Sequence, residues 1–449
     1  MGLRSAVTIS AVACAFAWAG VAAASPEDVF SYGPRSPAMG GTGAAHASEF
    51  DAAYANPALL SRMRARKISV GWQGATFNLH ADGPGLPGRI SYEPAKGAII
   101  GVGLPLPFGG VLKDRVGAAF AFYTPTQILV RGRILYPEKA QFPLIPDRTQ
   151  SVAARFGLGI DVGYGFRVGA GFAALAQIAG DVVVATDATG RVGSRVEDQL
   201  VATYAPIVGI SYERKARHHG VFRGALVYRG TLDARFAVKI DATKLSSLNI
   251  PVFNISGIAQ YDPAQMTAEG AYQSKEWTLA VGVTYKRWSK YPGLAEPTIL
   301  CPDDNPDCGA LQPTKLALTD TFVPRVGVDR AVAVTKGMTL HVRGGYALES
   351  TPTPANLPPS QAWDPAAKQN ANVPTRFFDA SRHIFTLGGG IELHDPLPAL
   401  TLDVYAQDHV LPTRTVDVQS GADSNIGAFG PAKISGSVLA AGMLLGVPF

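Results

Sequence analysis

The chain has 449 residues, of which 47% are hydrophobic and 17% are charged, with a formal net charge of +5 and 49 glycines. The charged fraction is below the roughly 25% typical of soluble domains, and the apolar content excludes an intrinsically disordered chain. After the N-terminal segment there is no run of about 18 uninterrupted apolar residues, which excludes a helical membrane protein. Two classes remain: a soluble β protein with few charges, or an outer-membrane β-barrel.

Residues 1–24 have the layout of a secretory signal peptide. Arg4 precedes an apolar stretch, and three alanines precede Ser25, so we predict cleavage after Ala24. Removing this leader takes away one arginine and no acid, so the net charge falls from +5 to +4. A charge this small and scattered predicts no nucleic-acid partner.

Residues 25–66 show no β pattern. They contain the glycine-rich run Gly40-Gly41-Thr42-Gly43 and, from Asp51 to Leu60, short stretches of helical character. If the strands that follow close into a barrel, the lumen would otherwise stand open. We therefore predict that this segment is a plug inside the barrel.

From Lys67 onward the dominant pattern has a period of two, which puts alternate residues on opposite faces of a strand. In the segment 155–166, one face is wholly large and apolar, whereas the other carries Arg155, Asp161 and glycines. Most of the predicted strands exceed the roughly five or six residues typical of globular proteins. We predict fourteen strands, at 67–80, 89–106, 115–135, 149–166, 168–187, 195–213, 221–240, 264–273, 276–290, 320–334, 337–350, 381–395, 398–412 and 432–449.

The predicted connections alternate between long and short. Odd-numbered connections are mostly long, such as 241–263 and 351–380, whereas even-numbered connections are as tight as Arg167 alone or Pro396-Leu397. Short turns at one rim and long loops at the other are typical of outer-membrane barrels, with the long loops outside the cell. The sequence therefore predicts an all-β protein in which 67–449 form a transmembrane antiparallel β-barrel in contact with outer-membrane lipids.

Two cysteines remain after the leader, Cys301 and Cys308, in an acidic, proline-containing loop. An exported protein meets oxidising conditions, so we predict a local disulfide. The aspartates between the cysteines are also typical calcium ligands, but no glycine stands where an EF-hand turn requires one. We predict no metal site and no cofactor.

Two separated motifs resemble the FadL family of outer-membrane transporters for long-chain fatty acids and other hydrophobic compounds. Gly33 to Ala45 and Asp51 to Ala58 resemble its N-terminal hatch; 342–347, the proline-containing 351–354 and 381–388 resemble a late strand, loop and strand. The resemblance implies a monomeric fourteen-stranded barrel with a hatch. It also implies passive uptake, in which a fatty acid or hydrocarbon is captured at external loops and leaves sideways through a gap in the wall as the hatch moves.

The triplet Asn56-Pro57-Ala58 matches the hatch motif residue for residue. The resemblance implies a role for it in hatch conformation and in the internal substrate pocket. By itself, Asn before Pro indicates only the start of a turn or helix.

Pro125 interrupts the predicted third strand, and proline has no N–H group for a strand ladder. The resemblance implies that the third strand is kinked, so Pro125, with Tyr123 and Thr124, is predicted to mark the lateral opening. The alternative is that Pro125 only ends the strand.

Arg155, His341 and Arg343 each lie opposite the apolar face of their strand. They are predicted to face the lumen and to meet the acid headgroup of a cargo. The alternative is that they pair with inward acids such as Asp161 or Glu392.

The predicted external loop 241–263 contains an unusually apolar stretch. Its residues Leu248, Ile250 and Phe253 are predicted to make the first contact with a hydrophobic cargo. Packing within the loop is the alternative.

Two other functions stay open. The sequence has no phosphate loop, no His-Glu-x-x-His and no nucleophile elbow, so we predict no enzyme and passive transport. A lipid hydrolase would need an oriented nucleophile and base, and nothing in the sequence orients Ser381 and His383. A general porin with a polar lumen would need no hatch.

Overall fold

The computed structural model describes residues 26–449 apart from 127–135, 150–151, 187–191, 217–219, 245–251, 293–297, 301–315, 365–366, 368 and 394–399. In this part of the chain fourteen strands form one closed antiparallel barrel, which confirms the predicted fold. The strands are β1 Lys67–Asp82, β2 Ala95–Pro105, β3 Val116–Pro125, β4 Ala153–Gly163, β5 Phe166–Thr186, β6 Val192–Lys215, β7 Val221–Arg229, β8 Gln265–Gln273, β9 Trp277–Lys286, β10 Thr321–Thr335, β11 Met338–Glu349, β12 Arg382–Leu393, β13 Leu400–Val418 and β14 Gly430–Pro448.

The barrel closes because its first strand pairs with its last. Each strand is antiparallel to the next, and β1 pairs with β14 from Lys67 opposite Pro448 to Asp82 opposite Lys433. A closed ladder leaves no sheet edge, which is the condition for crossing a bilayer with strands. Among the described residues, no helix is long and apolar enough to span a membrane.

Side chains alternate between a lipid-facing exterior and a filled interior. In β13, Leu402 and Val404 are 39% and 48% exposed, whereas Asp403 and Tyr405 are each 4% exposed. This is the two-faced pattern predicted from the sequence, with the apolar face outward.

Aromatic residues mark both ends of the outer surface, as in the girdles of outer-membrane barrels. Pairs of rings lie on neighbouring strands, near the short turns at one end and near the long loops at the other. The pairs are Phe166–Tyr212 (4.7 Å between centroids) and Phe222–Tyr272 (4.9 Å) by the turns, and Tyr285–Phe322 (5.3 Å) and Tyr346–Phe385 (5.3 Å) by the loops.

The turn between β4 and β5 is Tyr164-Gly165, not Arg167 as predicted. Tyr164 and Gly165 both have positive φ, 53° and 86°, which suits a two-residue hairpin turn between right-twisted strands. Arg167 is the second residue of β5, where it pairs with Asp161 and Glu213, each at 3.3 Å.

The predicted strand 221–240 is two strands, and the predicted loop 241–263 contains another. After β7 the chain turns at Gly230, whose N–H donates to the carbonyl of Pro206 at 2.9 Å. The strand Leu232–Lys244 then pairs with Val252–Asp262 and, in parallel, with β5 from Ala179 onward. The physical reason is that the ladder between β4 and β5 stops at Leu175, so the backbone of β5 beyond it needs another partner.

The third strand also differs from its predicted span, because β3 ends at Pro125 and 127–135 lie outside the described residues. The connections contain further short strands at Gly88–Ile90, Thr298–Leu300, Asn356–Leu357, Ser360–Asp364 and Gln369–Val373.

Residues 26–66, the hatch segment, contain helices α1 (Pro26–Phe30) and α2 (Ala52–Ala55) and 3-10 helices at Ser36–Ala38 and Pro57–Arg62. The segment packs against the inner face of strands all around the barrel. At ten wall glycines an added Cβ would come closer than 3.0 Å to an atom of the hatch segment. They are Gly101, Gly103, Gly117, Gly157, Gly159, Gly169, Gly209, Gly327, Gly345 and Gly388. The hatch segment therefore lies against the wall at a distance that only glycine permits.

Substituting a wall glycine tests this fit. In Gly159→Ala the new Cβ would lie 2.3 Å from the carbonyl oxygen of Pro57. We expect the free energy of unfolding to fall by about 1–3 kcal/mol, as for overpacking elsewhere. Urea unfolding of the barrel in detergent measures it, and hydrogen exchange at hatch amides should rise.

Gly224→Ala is the matched control, because this glycine of β7 is exposed and an added Cβ there has no neighbour within 4 Å. Its effect should stay within about 0.5 kcal/mol. Equal losses in the two variants would contradict the close packing of hatch and wall.

Candidate functional site

Asn56 ties together three parts of the interior. Its Oδ1 accepts a hydrogen bond from the Ala58 N–H (3.1 Å) and so caps the 3-10 helix Pro57–Arg62. Its Nδ2 donates to the carbonyl of Ala44 (2.8 Å) within the hatch segment and to that of Ile210 (3.4 Å) in β6. The side chain is fully buried, so losing these bonds would leave polar atoms without water. The predicted triplet thus lies where the hatch segment meets the wall.

Arg155 faces the interior, and it is already paired with an acid. Its Nη2 lies 2.9 Å from Oε2 of Glu27 in α1, and its Nη1 donates to the carbonyls of Ala154 and Ala174. The guanidinium also lies over the ring of Tyr54, 5.7 Å from its centroid. Arg155 therefore holds α1 against the wall.

His341 and Arg343 are brought together, away from Arg155, at the end of the barrel with the short turns. Asp329 accepts from both, at 3.0 Å from His341 Nδ1 and 3.3 Å from Arg343 Nε. Arg343 also binds Asp403 (2.5 Å), and Nε2 of His341 lies 3.8 Å from Glu392. All three predicted cations thus have carboxylate partners.

The predicted gate residues lie where the pairing of β3 changes. The ladder with β2 runs to Pro125 opposite Gly97, but the ladder with β4 ends two residues earlier, at Tyr123 opposite Ala153. Tyr123 points inward, is 2% exposed and donates to the carbonyl of Thr149 (3.4 Å). Pro125 is the last residue of its strand.

Sequence reasoning missed a buried ion-pair network at the other end of the hatch segment. Asp28 of α1 accepts from Lys286 of β9 (2.8 Å) and from Arg148 (2.5 Å), which lies in the external connection between β3 and β4. Lys286 also forms an ion pair with Glu349 (2.6 Å), and Arg148 forms one with Asp262. The network thus joins an external loop, the hatch segment and the wall.

The charge of Asp28 depends on those partners. Burial by itself raises the pKa of Asp28, but Lys286 and Arg148 outweigh it and hold the pKa well below its ordinary value. The carboxylate is therefore ionised at neutral pH, and its pairing weakens only in strong acid. The sequence alone could have indicated that Lys286 points into the barrel, because alternation puts it on the same, inward face of its strand as Thr284. The partner acid, more than 250 positions away, left no such signal.

An apolar cluster lies between α1 and the external connections. Phe30 of α1 belongs to it, with residues of the connections and of the inner faces of β1, β13 and β14. Its larger members include Phe30, Phe77, Phe142, Ile145, Tyr261, Trp288, Phe377, Phe378, Leu411 and Ile434. Aromatic and aliphatic surface of this kind is what hydrophobic ligands contact.

Three small cavities touch the hatch segment or lie beside it, of about 20, 10 and 10 Å³. Each has room for one water at most. At these three points the hatch segment and the wall leave no space for a larger molecule.

Several predicted residues lie outside the described part of the chain: the leader 1–24, Leu248, Ile250, Cys301 and Cys308. Phe253 lies in the strand Val252–Asp262, opposite Ile240 and Ile299.

Ser381 and His383 have separate partners. The Ser381 Oγ accepts from the N–H of Thr351 (3.2 Å), and His383 Nδ1 bonds to the hydroxyl of Tyr346 (2.8 Å). Among the described residues, no group of three or more His, Cys, Asp or Glu side chains is arranged to hold a metal ion.

The closed wall, the apolar exterior and the filled interior define a plugged transmembrane β-barrel of the outer-membrane type. Its fold is that of the FadL channels. The chain is similar to a FadL homologue from Pseudomonas aeruginosa, with a TM-score of 0.53 and 15% identity over 92% of this chain and 98% of the other. It is also similar to the toluene transporter TodX from Pseudomonas putida, with a TM-score of 0.52 and 14% identity over 94% and 99%.

A deletion variant of TodX, described as a monoaromatic hydrocarbon channel, gives a TM-score of 0.53 with 14% identity over 94% of this chain and all of the other. At such identity the similarity establishes the fold. No protein-family model matches the sequence, and no curated protein matches it either.

Removing one charge tests the network around Asp28. In Asp28→Asn, Arg148 and Lys286 lose a shared carboxylate in a buried site, a change that typically costs about 3–5 kcal/mol. We expect α1 to detach, so that hydrogen exchange and protease cleavage within 26–32 increase while the barrel stays folded.

Glu276→Gln removes the same charge from an exposed turn between β8 and β9 and should change neither measurement. If Asp28→Asn behaved like this control, the network would not hold the hatch segment.

Proposed function

We propose that this protein is an outer-membrane channel for passive uptake of small hydrophobic molecules. The observation that carries the proposal is the apolar cluster on the external side of a hatch segment that fills the barrel. A porin needs an open polar lumen, whereas here an oily ligand would meet aromatic surface before it meets the hatch. The functions named for the similar structures, toluene transport and a monoaromatic hydrocarbon channel, support the same class of cargo.

Capture takes place at the external connections in this proposal. Phe142 and Ile145 lie in the connection after β3, and Trp288 follows β9, so about half of the cluster comes from segments outside the wall. Connections of this kind repack more readily than strands do. A cargo that enters the cluster replaces contacts between these side chains with contacts to itself.

Arg148 couples capture to the hatch segment. It lies three residues from Ile145, its guanidinium is 5.2 Å from the Trp288 ring centroid, and it pairs with Asp28. A shift of the cluster therefore moves a cation that holds α1. Loss of that ion pair frees α1 from the external loop and opens the route past the hatch segment.

Release occurs sideways, at the end of β3. The ladder between β3 and β4 stops at Tyr123, so beyond this point the described residues of the two strands are not paired. Pro125 offers no N–H group there. An oily molecule that leaves through the wall enters the bilayer without crossing water.

An uncharged cargo fits this interior better than an acid does. A carboxylate headgroup at Arg155, His341 or Arg343 would have to displace an acid that is already bound there. Competing with a buried, preorganised ion pair is costly. We therefore place hydrocarbons ahead of fatty acids as the cargo.

Uptake by whole cells tests the function, because lipopolysaccharide makes the outer membrane a barrier to oily molecules. Cells that produce the protein should take up labelled toluene faster than cells without it, and labelled oleate less so. Passage of a small sugar into proteoliposomes should stay at the background level. Sugar passage without any gain in toluene uptake would instead indicate a porin, and phospholipid turnover by the purified protein would indicate a hydrolase.

A disulfide across the end of β3 tests the lateral opening. By the register of the ladder, Thr124 lies opposite Val152, just beyond the last pair. Opposite residues have Cβ atoms about 4.5–5.5 Å apart, close to the span of a disulfide. In Thr124→Cys/Val152→Cys we expect oxidation to reduce toluene uptake severalfold and dithiothreitol to restore it.

The control is Val116→Cys/Ile160→Cys, which joins the same two strands where they are already paired. Oxidation of this pair should leave uptake unchanged. If both disulfides left uptake unchanged, the exit would lie elsewhere.

A further inference from the structure

A cavity of about 250 Å³ lies at the end of the barrel with the short turns, on the opposite side of the hatch segment from the apolar cluster. Its lining comes partly from the hatch segment and partly from the wall, and it is rich in charge. The charged lining residues are Arg35, Glu49, Arg62, Arg64, Lys67, His341, Arg343, Glu392 and Asp403. The uptake route does not use this cavity, because cargo leaves through the wall near β3.

The acids around the cavity are already engaged by cations. Glu49 binds Lys67 at 2.6 Å, and Asp403 binds Arg343 at 2.5 Å. Asp329, behind the lining, binds Arg35 at 2.6 Å. Glu392, the remaining acid of the lining, lies 3.8 Å from Nε2 of His341, so the described partners of these acids do not include Arg62 or Arg64.

Arg62 makes only a long contact with a carboxylate that other arginines already bind. Its Nε lies 3.9 Å from Glu213, whose same oxygen accepts from Arg223 at 2.8 Å and from Arg167 at 3.3 Å. The Nη1 of Arg62 is buried and has no hydrogen-bond partner in the part of the chain that the structure describes. Burial, and next the guanidinium of Arg223, lower the pKa of Arg62 to about 9. A partly buried cation of this kind is stabilised by a bound anion.

Arg64 is the second surplus cation. Its Nη1 donates to the carbonyls of Ser61 (2.9 Å) and Met63 (3.0 Å), and no acid among the described residues is paired with it. The side chain is exposed at the cavity, so its remaining donors can reach a ligand there. Arg62 and Arg64 together offer two positive charges on one short stretch of the hatch segment.

We propose that this cavity binds a phosphate group, with Arg62 and Arg64 as its main ligands. Inorganic phosphate carries about 1.5 negative charges at neutral pH, a phosphodiester headgroup carries one, and both present oxygens on several sides. Two arginines next but one in the hatch segment, with cations of the wall nearby, suit such a group better than they suit a planar carboxylate, which has only two oxygens. The group is either free phosphate from the periplasm or the headgroup of a phospholipid from the inner leaflet.

A bound phosphate would fasten the end of the hatch segment to the wall. Arg62 and Arg64 belong to the hatch segment, whereas Lys67, His341 and Arg343 belong to β1 and β11. The ligand would bridge the two and oppose hatch movement from the periplasmic side. This inference concerns a second site and does not depend on the nature of the cargo.

Titration of the purified barrel with inorganic phosphate, in phosphate-free detergent and at low salt, tests the site. We expect saturable binding of one phosphate per chain by calorimetry. Arg62→Gln and Arg64→Gln should each weaken it about tenfold, the usual effect of losing one charge-assisted hydrogen bond. Arg62→Lys, which keeps the charge, should weaken it less than Arg62→Gln.

Lys113→Gln is the control, since it removes the same charge from an exposed turn at the same end of the barrel and outside the cavity. Its affinity should match that of the unaltered protein. Phosphate should also slow hydrogen exchange at hatch amides 58–66 in the unaltered protein and not in Arg62→Gln. Heat-modifiable migration on gels confirms that each variant is folded.

Absence of saturable binding at millimolar phosphate, or equal affinities for the arginine variants and the control, would overturn the proposal. Competition with dihexanoyl phosphatidylglycerol identifies the source of the phosphate group. Displacement of phosphate assigns the site to a lipid headgroup, and failure to displace it assigns the site to free phosphate; either result supports the site.

Discussion

The close contact between the hatch backbone and the wall glycines governs the interior of this protein. At Gly159, Gly169 and Gly209 the place of a missing Cβ lies within about 2.3 Å of atoms of the triplet Asn56-Pro57-Ala58. The same strands carry large apolar side chains on their outer face, because successive residues of a strand point to opposite faces of the sheet. A strand that alternates glycine with leucine or phenylalanine therefore has an apolar outer face for lipid and an inner face on which the hatch segment packs closely.

Charge inside the barrel follows from the same enclosure. Where water is excluded, a buried carboxylate needs a cation or another hydrogen-bond donor: Glu27 and Asp28 pair with Arg155, Lys286 and Arg148, whereas Asp51 accepts from the N–H of Glu49. These pairs balance the buried charges on the external side of the hatch segment, next to the apolar cluster. In the proposed function this arrangement favours cargo without charge and couples the position of the hatch segment to that of one external loop.

Much of the fold could be predicted from the sequence because a strand's two faces are visible in its alternation. The error at Arg167 arose because Gly163-Tyr164-Gly165 continues the alternation through a turn, and positive φ leaves no mark on periodicity. The error at 221–240 arose because alternation does not reveal which edge a strand will join. For the site, alternation correctly pointed Arg155, His341 and Arg343 inward, but their acidic partners lie up to 128 positions away, beyond any local pattern.

The pairing of β1 with β14 has a consequence for how the barrel folds and closes. Lys67 pairs with Pro448, so the contact that completes the wall joins the two most distant parts of the barrel sequence. Bringing such remote segments together carries a large loop-closure entropy, and contacts of this range form slowly. Closure is therefore expected to be the last step of assembly, after the hatch segment has been enclosed. A chain cut short before its final strand would be left as an open sheet, and the unpaired N–H and C=O groups at its two edges would favour aggregation.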